Sequence, residues 1–449
     1  MIDGVTLVSG GDLWLGGPHG TVIEDGAVAF RGDQVAWLGP ESERPSGEPA
    51  ERLDARGGLI APGLVNLHHH FYSALARGMD PGRPLSNFTE ILEGLWWRLD
   101  RALDVETVRL SAQLSLAESI RAGCTTVFDH HASPAALAGS LDIIAAESLA
   151  AGLRVALSYE VSDRNGHAEA LAGIAENERF AAAVKGEPRL HGMMGLHASF
   201  TVSDATLRAA AKSGLGAHVH VAEDLSDVSR SRAEFGADPV TRLVDAGFAN
   251  ESSLFAHGVH LDAAALDKVA QSGATLVHNP ESNANNAVGW LDLGRAAGAG
   301  LRLGLGTDGM SSSMLGALRA SFLLERAQWR DPTLGFGVHT GLLSHNAHFA
   351  AMIFDRPWLG QLAVGGPADL IVIDAPTPTP ISSANVFGHL IYGASRAPVR
   401  HTVAGGKTLM ENFELLHLDL AALAARAKQA AAPLWRRFAQ LGEVEPREK

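Results

Sequence analysis

The stretch LIAPGLVNLHHHF, residues 59–71, decides how the chain is read. Its apolar part, Leu59–Leu67, suits a strand buried on both faces, and it runs into three consecutive imidazoles. Polar groups at the end of a buried strand cost desolvation free energy unless something compensates them. Seven more short apolar runs follow: Thr125–Asp129, Arg154–Val161, Leu190–Leu196, Gly216–Val221, Ser253–His257, Ala274–His278 and Leu301–Thr307. Between most of them lie Ala-, Leu- and Glu-rich segments long enough for crossover helices, such as Val105–Ala122 and Ala135–Ala151. Eight such alternations predict an α/β fold, a TIM-like (β/α)₈ barrel. The structural alternative, a doubly wound open sheet, lacks support because no glycine-rich phosphate loop follows the first run.

The two ends of the chain have another texture. Val5–Ser9, Thr21–Glu24, Ala27–Phe30 and Gln34–Leu38 are short apolar runs punctuated by Gly-Gly, Asp-Gly and Gly-Asp pairs, as in hairpins. The texture returns at Asp369–Asp374, Val399–Val403 and Lys407–Met410. The expectation is a composite β-sandwich domain made of residues 1–60 and 362–449, around a catalytic barrel of residues 61–361. The Ala-rich stretch Leu418–Leu441 reads as a helix that Pro433 breaks or kinks. Phe71–Leu103 reads as a long loop with a short helix over the C-terminal face of the barrel, where substrates of such folds bind.

Composition narrows the function. The chain has 449 residues, 36 Lys+Arg against 50 Asp+Glu, a net charge of −14, and one cysteine. An acidic balance argues against a nucleic-acid binder, and Cys124 alone excludes an intramolecular disulfide and Cys-based zinc modules. No long uncharged apolar stretch and no secretory leader pattern is seen, so the expectation is a cytoplasmic protein that spans no membrane. The 20 histidines are the outlying feature; 13 fall between residues 61 and 308, and all but His167 and His191 sit at or beside predicted strand ends.

His68 and His70 are spaced i, i+2, which on a strand puts both on one face. His220 ends the fifth run and Asp308 follows the eighth. Three imidazoles and a carboxylate suit one divalent metal ion, Zn²⁺ first and Fe²⁺ as the alternative. Glu223, three residues past His220, is placed to carry a proton from a metal-activated water to a substrate, and His257 to polarise it. Only six lysines exist and none lies at a strand end, so a carboxylated lysine bridging two metals is not expected; His197 holds that position on the fourth run. His130 and His131 divide evenly between site and structure. Trp96 and Trp97 fit loop packing as well as a stacking platform, and Phe71, Tyr72, Trp96 or Trp97 could sandwich a flat ring.

The motifs PGLVNLHHHF (62–71), HVHVAE (218–223), LFAHGVHL (254–261), VHNPESN (277–283) and LGTDG (305–309) resemble the amidohydrolase superfamily in its cytosine-deaminase-like, chlorohydrolase/deaminase branch. Within it, LWWRLDRALD (95–104), GCTTVFDHHASP (123–134) and SNANNAVGW (282–290) are similar to SsnA-like aminohydrolases, and the HHHFY and DHH elements to 8-oxoguanine deaminases. The resemblance implies a TIM-like barrel with a composite β-sandwich and one divalent metal held by His68, His70, His220 and Asp308. It implies acid–base and polarising roles for Glu223 and His257, with Asp308 helping to deprotonate water. It also implies that His197 and Asn283 face substrate; Tyr72, Trp97 and His131 complete the expected substrate contacts. The expected function is a metal-dependent hydrolase of C–N bonds, deaminating a nitrogen heterocycle such as an oxidised purine or a pterin and releasing ammonia. The alternatives are ring opening of a cyclic amide or dechlorination at the same site and, more remotely, a non-catalytic metal-binding protein. A homodimer is the expected assembly, with a small heterocycle rather than nucleic acid or membrane as the partner.

Overall fold

In the computed structural model, residues 3–442 are described. Eight parallel strands occupy the middle of the chain: β1 (Leu64–His69), β2 (Cys124–His131), β3 (Arg154–Tyr159), β4 (Met194–Ala198), β5 (Ala217–Val221), β6 (Leu254–His257), β7 (Thr275–His278) and β8 (Arg302–Leu305). They form two parallel sheets, one running from β1 through β3 to the short strand Leu190–Gly192, the other from β4 to β8. Only Met193 separates Leu190–Gly192 from β4, so one stretch of chain pairs first with β3 and then with β5. The outer margins meet as well. The amides of Thr307 and Asp308 donate to His68 O at 3.1 and 2.9 Å, and those of Val161 and His197 link the ends of β3 and β4. Val65, Leu67, Phe128, Ala156, Leu254 and Val277, from β1, β2, β3, β6 and β7, pack into one apolar cluster with Phe349 of the helix His339–Ile353.

Helices between the strands begin where the sequence supplies caps. Asp104 and Thr107 form a reciprocal capping box at the start of Val105–Arg121, and Asp262 caps Ala263–Ser272. Each uses a side-chain oxygen to satisfy an amide that the helix itself cannot.

The run expected at Leu59–Leu67 is divided. Leu59–Pro62 pairs with Leu370–Ile373 and with Thr6–Trp14, in the sheet built from the chain ends, and only after Gly63 does β1 begin. Gly63 lies so close to β2 that a Cβ there would stand 2.3 Å from Thr125 Oγ1. The chain ends form one continuous nine-stranded sheet. Its order is Glu414–Leu415, Lys407–Glu411, Val399–Ala404, Leu370–Ile373, Leu59–Pro62, Thr6–Trp14, Val22–Arg31 and Gln34–Pro40, with Glu51–Asp54 also on Thr6–Trp14.

The C-terminal helix Leu420–Gln440 runs unbroken through Pro433, contrary to the expected break. It braces the segment over the strand ends: Trp435 Nε1 donates to Leu75 O at 3.0 Å, Arg437 Nε to Ala102 O at 2.8 Å, and Arg98 donates back to Phe438 O and Leu441 O. That segment, expected as loop with a short helix, is helical over Phe88–Ile91 and Trp97–Ala102, with a π-helical turn at Leu92–Trp96 between them. Among the described residues, no helix is long and apolar enough to cross a membrane.

Candidate active site

The strand ends bring the expected residues together. The ligand atoms of His68, His70 and His220 all lie within 4.8 Å of one another, and so do those of His68, His257 and Asp308. His70 Nε2 is 3.2 Å from His220 Nε2 and 3.1 Å from Asp308 Oδ1. His257 Nε2 is 3.4 Å from Glu223 Oε2 and 3.7 Å from Asp308 Oδ2. Ala222, His257 and Asp308 have left-handed backbone, φ 48°, 76° and 54°, without being glycine. Non-glycine residues in that region each cost about 1–3 kcal/mol and cluster at functional sites. The chain turns sharply there, where the strands end and the polar groups begin.

The outward nitrogen of each imidazole is engaged. His70 Nδ1 donates to His130 O at 2.6 Å and His220 Nδ1 to His197 O at 2.7 Å. A carbonyl only accepts, so both Nδ1 atoms carry hydrogen and, in the neutral rings, both Nε2 atoms are bare lone pairs. Those two nitrogens stand 3.2 Å apart. Burial lowers the His70 imidazole, but Asp308, 3.1 Å from its Nε2, raises it to about 9, so this carboxylate holds positive charge at the cluster. His68 Nδ1 is 2.8 Å from His218 Nε2, while His68 Nε2 is buried with no hydrogen bond. Converging ring nitrogens, an orphaned buried nitrogen and an adjacent carboxylate fit a cation between them, with outer partners fixing each ring as metal-ligating imidazoles require. Burial and the neighbouring imidazoles hold His68 well below the ordinary imidazole range. Burial opposes ionisation of Asp308, yet His70 and the other facing imidazoles keep it well below the carboxylate range. This donor set, three nitrogens and one oxygen, suits Zn²⁺ or Fe²⁺.

Glu223 is shaped differently. Burial pushes its carboxyl up to about 7, His257 pulling it down and Asp308 pushing it up. Asn286 Nδ2 donates to its Oε1 at 3.3 Å. A carboxyl that binds and loses a proton near neutrality beside a hydrolytic centre is suited to proton transfer.

These groups open onto a cavity of about 740 Å³, its mouth included. His70, His220, Glu223 and Asp308 form one pole. Tyr72, Trp96, Trp97, Phe88 and Phe200 supply flat apolar walls, and His197 lines the wall with Nδ1 2.7 Å from Thr201 Oγ1. Two expected substrate contacts are placed elsewhere. Asn283 lies behind His257, with Oδ1 2.8 Å from His257 Nδ1, and the buried His131 has Nε2 on Ser133 Oγ at 2.8 Å. Asn283 is held from the cavity by the ring it orients. His130, left undecided by sequence, is buried with Nε2 shared between Leu196 O and His218 O. The sequence reading missed Asp100 and Glu160, which line the cavity and are joined by Arg164. Glu160 directly follows β3, so the strand-end rule that found the histidines would have found it.

The Amidohydrolase family model matches residues 59–409. The chain belongs to the amidohydrolase family. As such it is an enzyme, a metal-dependent hydrolase of C–N bonds. It is 31% identical over 445 residues to a 5-methylthioadenosine/S-adenosylhomocysteine deaminase of Pelotomaculum thermopropionicum, covering 97% of this chain and 98% of that one. It is similar to the structure of an adenosine deaminase from Xanthomonas campestris with bound zinc: TM-score 0.85, 27% identity, 98% and 99% of the two chains. An atrazine chlorohydrolase of Arthrobacter aurescens with zinc shares the fold at TM-score 0.77 and 21% identity, covering 95% and 100%.

Proposed function

We propose that this amidohydrolase deaminates an amino-substituted nitrogen heterocycle of purine type, releasing ammonia. The observation that carries the reading is the juxtaposition of Glu223, His257 and Asp308 at the metal-suited pole of an aromatic-walled cavity. The adenosine-type names of the relatives support a purine-like ring; an oxidised purine or a pterin is the finer proposal.

His68, His70, His220 and Asp308 would hold one divalent ion, Zn²⁺ in preference to Fe²⁺. When bound, such an ion supplies a water acidified towards neutral pH. The work of the chain itself then follows. The walls at Trp97 and Phe200 hold the ring flat, with His197 and Tyr72 beside it. Glu223 accepts a proton from the attacking water and delivers it to the ring nitrogen, which takes up the charge of the opened C=N bond. His257, its Nδ1 fixed by Asn283, turns Nε2 towards Glu223 and Asp308 and stabilises the developing charge. Glu223 then takes the remaining proton of the hydroxyl now on the ring carbon and delivers it to the exocyclic nitrogen; the C=O bond forms as the C–N bond breaks, and ammonia leaves.

The same reading takes the two parallel sheets, bridged at both margins, as one (β/α)₈ barrel. It takes the nine-stranded sheet of the chain ends as a separate composite β domain. What supports the barrel is the shared strand at Met193 and the pairing of His69 with Asp308. The test of function is an ammonia-release screen of the metal-loaded protein on adenosine, 5′-deoxyadenosine, guanine, 8-oxoguanine, pterin and dihydrouracil. Ammonia from an amino-heterocycle is expected. Opening of dihydrouracil with no ammonia from any ring would replace deamination by cyclic-amide hydrolysis.

A further inference from the structure

Glu223 stands on a turn that the chain would not take unaided. Ala222, directly before it, has left-handed backbone at φ 48° with a Cβ to accommodate. Such a conformation persists only where its surroundings over-determine it. Both backbone groups of Ala222 are engaged. Its carbonyl accepts from the His260 amide at 3.0 Å, on the loop past β6. Its amide donates to Asp227 Oδ2 at 2.6 Å, in the first turn of the helix Leu225–Phe235. The same helix is capped by Asp224, whose side chain accepts from the Ser226 amide at 2.9 Å. Glu223 is therefore tied on both sides, through Ala222 and Asp224, to the helix that carries Asp227.

The inner face of that helix is built for this task rather than for apolar packing. Its buried residues are Asp227 and Ser231, one turn apart, while Leu225 is 62% exposed. A helix held by packing alone would turn an apolar stripe inwards. Burial pushes the Asp227 carboxyl up to about 6, against the amides of Ala222 and Phe200 and the Ser231 hydroxyl, which hold it down. At neutral pH it is a carboxylate, which only accepts. Ser231 Oγ donates to its Oδ1 at 3.4 Å. The helix packs on the turn Ser199–Thr201, so one carboxylate joins the turn bearing Glu223 to the cavity wall bearing Phe200.

We propose that Asp227 is a positioning residue for the hydrolytic step: it acts through Ala222 to hold the Glu223 carboxyl at the reacting centre, facing His257. Asn286 bonds the carboxyl itself, and Asp227 fixes the backbone it hangs from. This rests on the reading of Glu223 as the proton carrier and deepens it.

The test is a double-mutant cycle on the metal-loaded enzyme. Asp227→Ala is made in the native and in the Glu223→Gln background. Turnover of the rings in the screen above is followed by ultraviolet absorbance, which reads ring opening and ammonia release alike. A residue that acts through Glu223 costs activity only while Glu223 carries protons. Asp227→Ala is expected to lower kcat about 10–100-fold in the native background and by less than about twofold beside Glu223→Gln. Equal losses in both backgrounds, or no loss in the native one, overturn the proposal and leave Glu223 standing. Full turnover by Glu223→Gln overturns both. Hydrogen exchange reads the clamp without a substrate: in Asp227→Ala the amides of residues 222–224 are expected to exchange about tenfold or more faster, with β8 unchanged. Unchanged protection at 222–224, or equal acceleration throughout the chain, overturns the proposal. Faster exchange confined to 222–224, with no ring turned over by the native enzyme, would overturn the ring reading and leave the clamp standing. Asp227→Asn, which keeps the shape and one acceptor oxygen, takes the place of Asp227→Ala if that variant does not fold, and the same dependence on Glu223 is expected of it.

Discussion

Asn283 Oδ1 lies 2.8 Å from His257 Nδ1, and that bond turns His257 Nε2 towards Glu223 at 3.4 Å and Asp308 at 3.7 Å. Asn283 thus acts through His257. Asn283→Ala is expected to lower kcat/KM by about 10–100-fold, the usual cost of losing a group that orients a functional imidazole. Metal content should stay at one ion per chain, measured by elemental analysis. Loss of the metal would show instead that Asn283 holds the cluster together.

The acid limb of the pH–rate profile is set by Glu223. Its carboxyl is pushed up to about 7 by burial. The form that accepts a proton from water is the carboxylate, so activity is present above its pKa and falls as pH drops through it. A bound cation nearby favours the charged form and moves the limb to lower pH. The profile of log kcat/KM should therefore break at or below about pH 7, with a slope of about one per unit below the break. A flat profile from pH 5 to 8 would exclude Glu223 as the proton carrier.

Removing the metal should remove activity and stability together. His70 Nε2 and His220 Nε2 stand 3.2 Å apart beside the Asp308 carboxylate, a donor set that a cation fits. Chelation is expected to abolish turnover and lower the melting temperature, since an ion bound only by the folded state stabilises it. Zn²⁺ restores both. His68→Ala, which deletes a buried Nε2 that makes no hydrogen bond, should reduce bound metal to well below one per chain.

Gly63 tests the junction between the two sheets. A Cβ there meets Thr125 at 2.3 Å on Oγ1 and 2.4 Å on Cγ2. Gly63→Ala should destabilise by about 1–3 kcal/mol through overpacking, seen in chemical denaturation. Gly63→Ala with Thr125→Ala should recover most of that loss. An unaffected single variant would mean that β1 and β2 can move apart freely.

How much of this was legible in the sequence depends on what each signal reports. Strand-end imidazoles were legible because alternation puts His68 and His70 on one face and because desolvation makes each such group conspicuous. The split at Gly63 was not, since Leu59–Leu67 is uniformly apolar and only the close approach of Thr125 demands the glycine. Asn283 was expected at the substrate only through the family resemblance; its contact with His257 depends on how the short helix Pro280–Asn285 seats against the strand ends, which no periodicity reports. Asp100 and Arg164 sit 64 residues apart and meet only when the helix over the cavity closes on β3. Pro433 in an uninterrupted helix reflects tertiary anchoring by Trp435 and Arg437 overriding a local preference.

The central claim, that Glu223 moves the protons of a hydrolytic deamination, is tested most directly by ammonia release. Native and Glu223→Gln proteins, each carrying one metal per chain, are compared on the first ring that yields ammonia, in ¹⁸O-labelled water. One ammonia and one labelled oxygen per ring consumed are expected from the native enzyme, with Glu223→Gln slower by about 10²–10⁴-fold, the usual contribution of a positioned proton carrier. Full turnover by Glu223→Gln, or a ring-opened acid in place of ammonia, would contradict it.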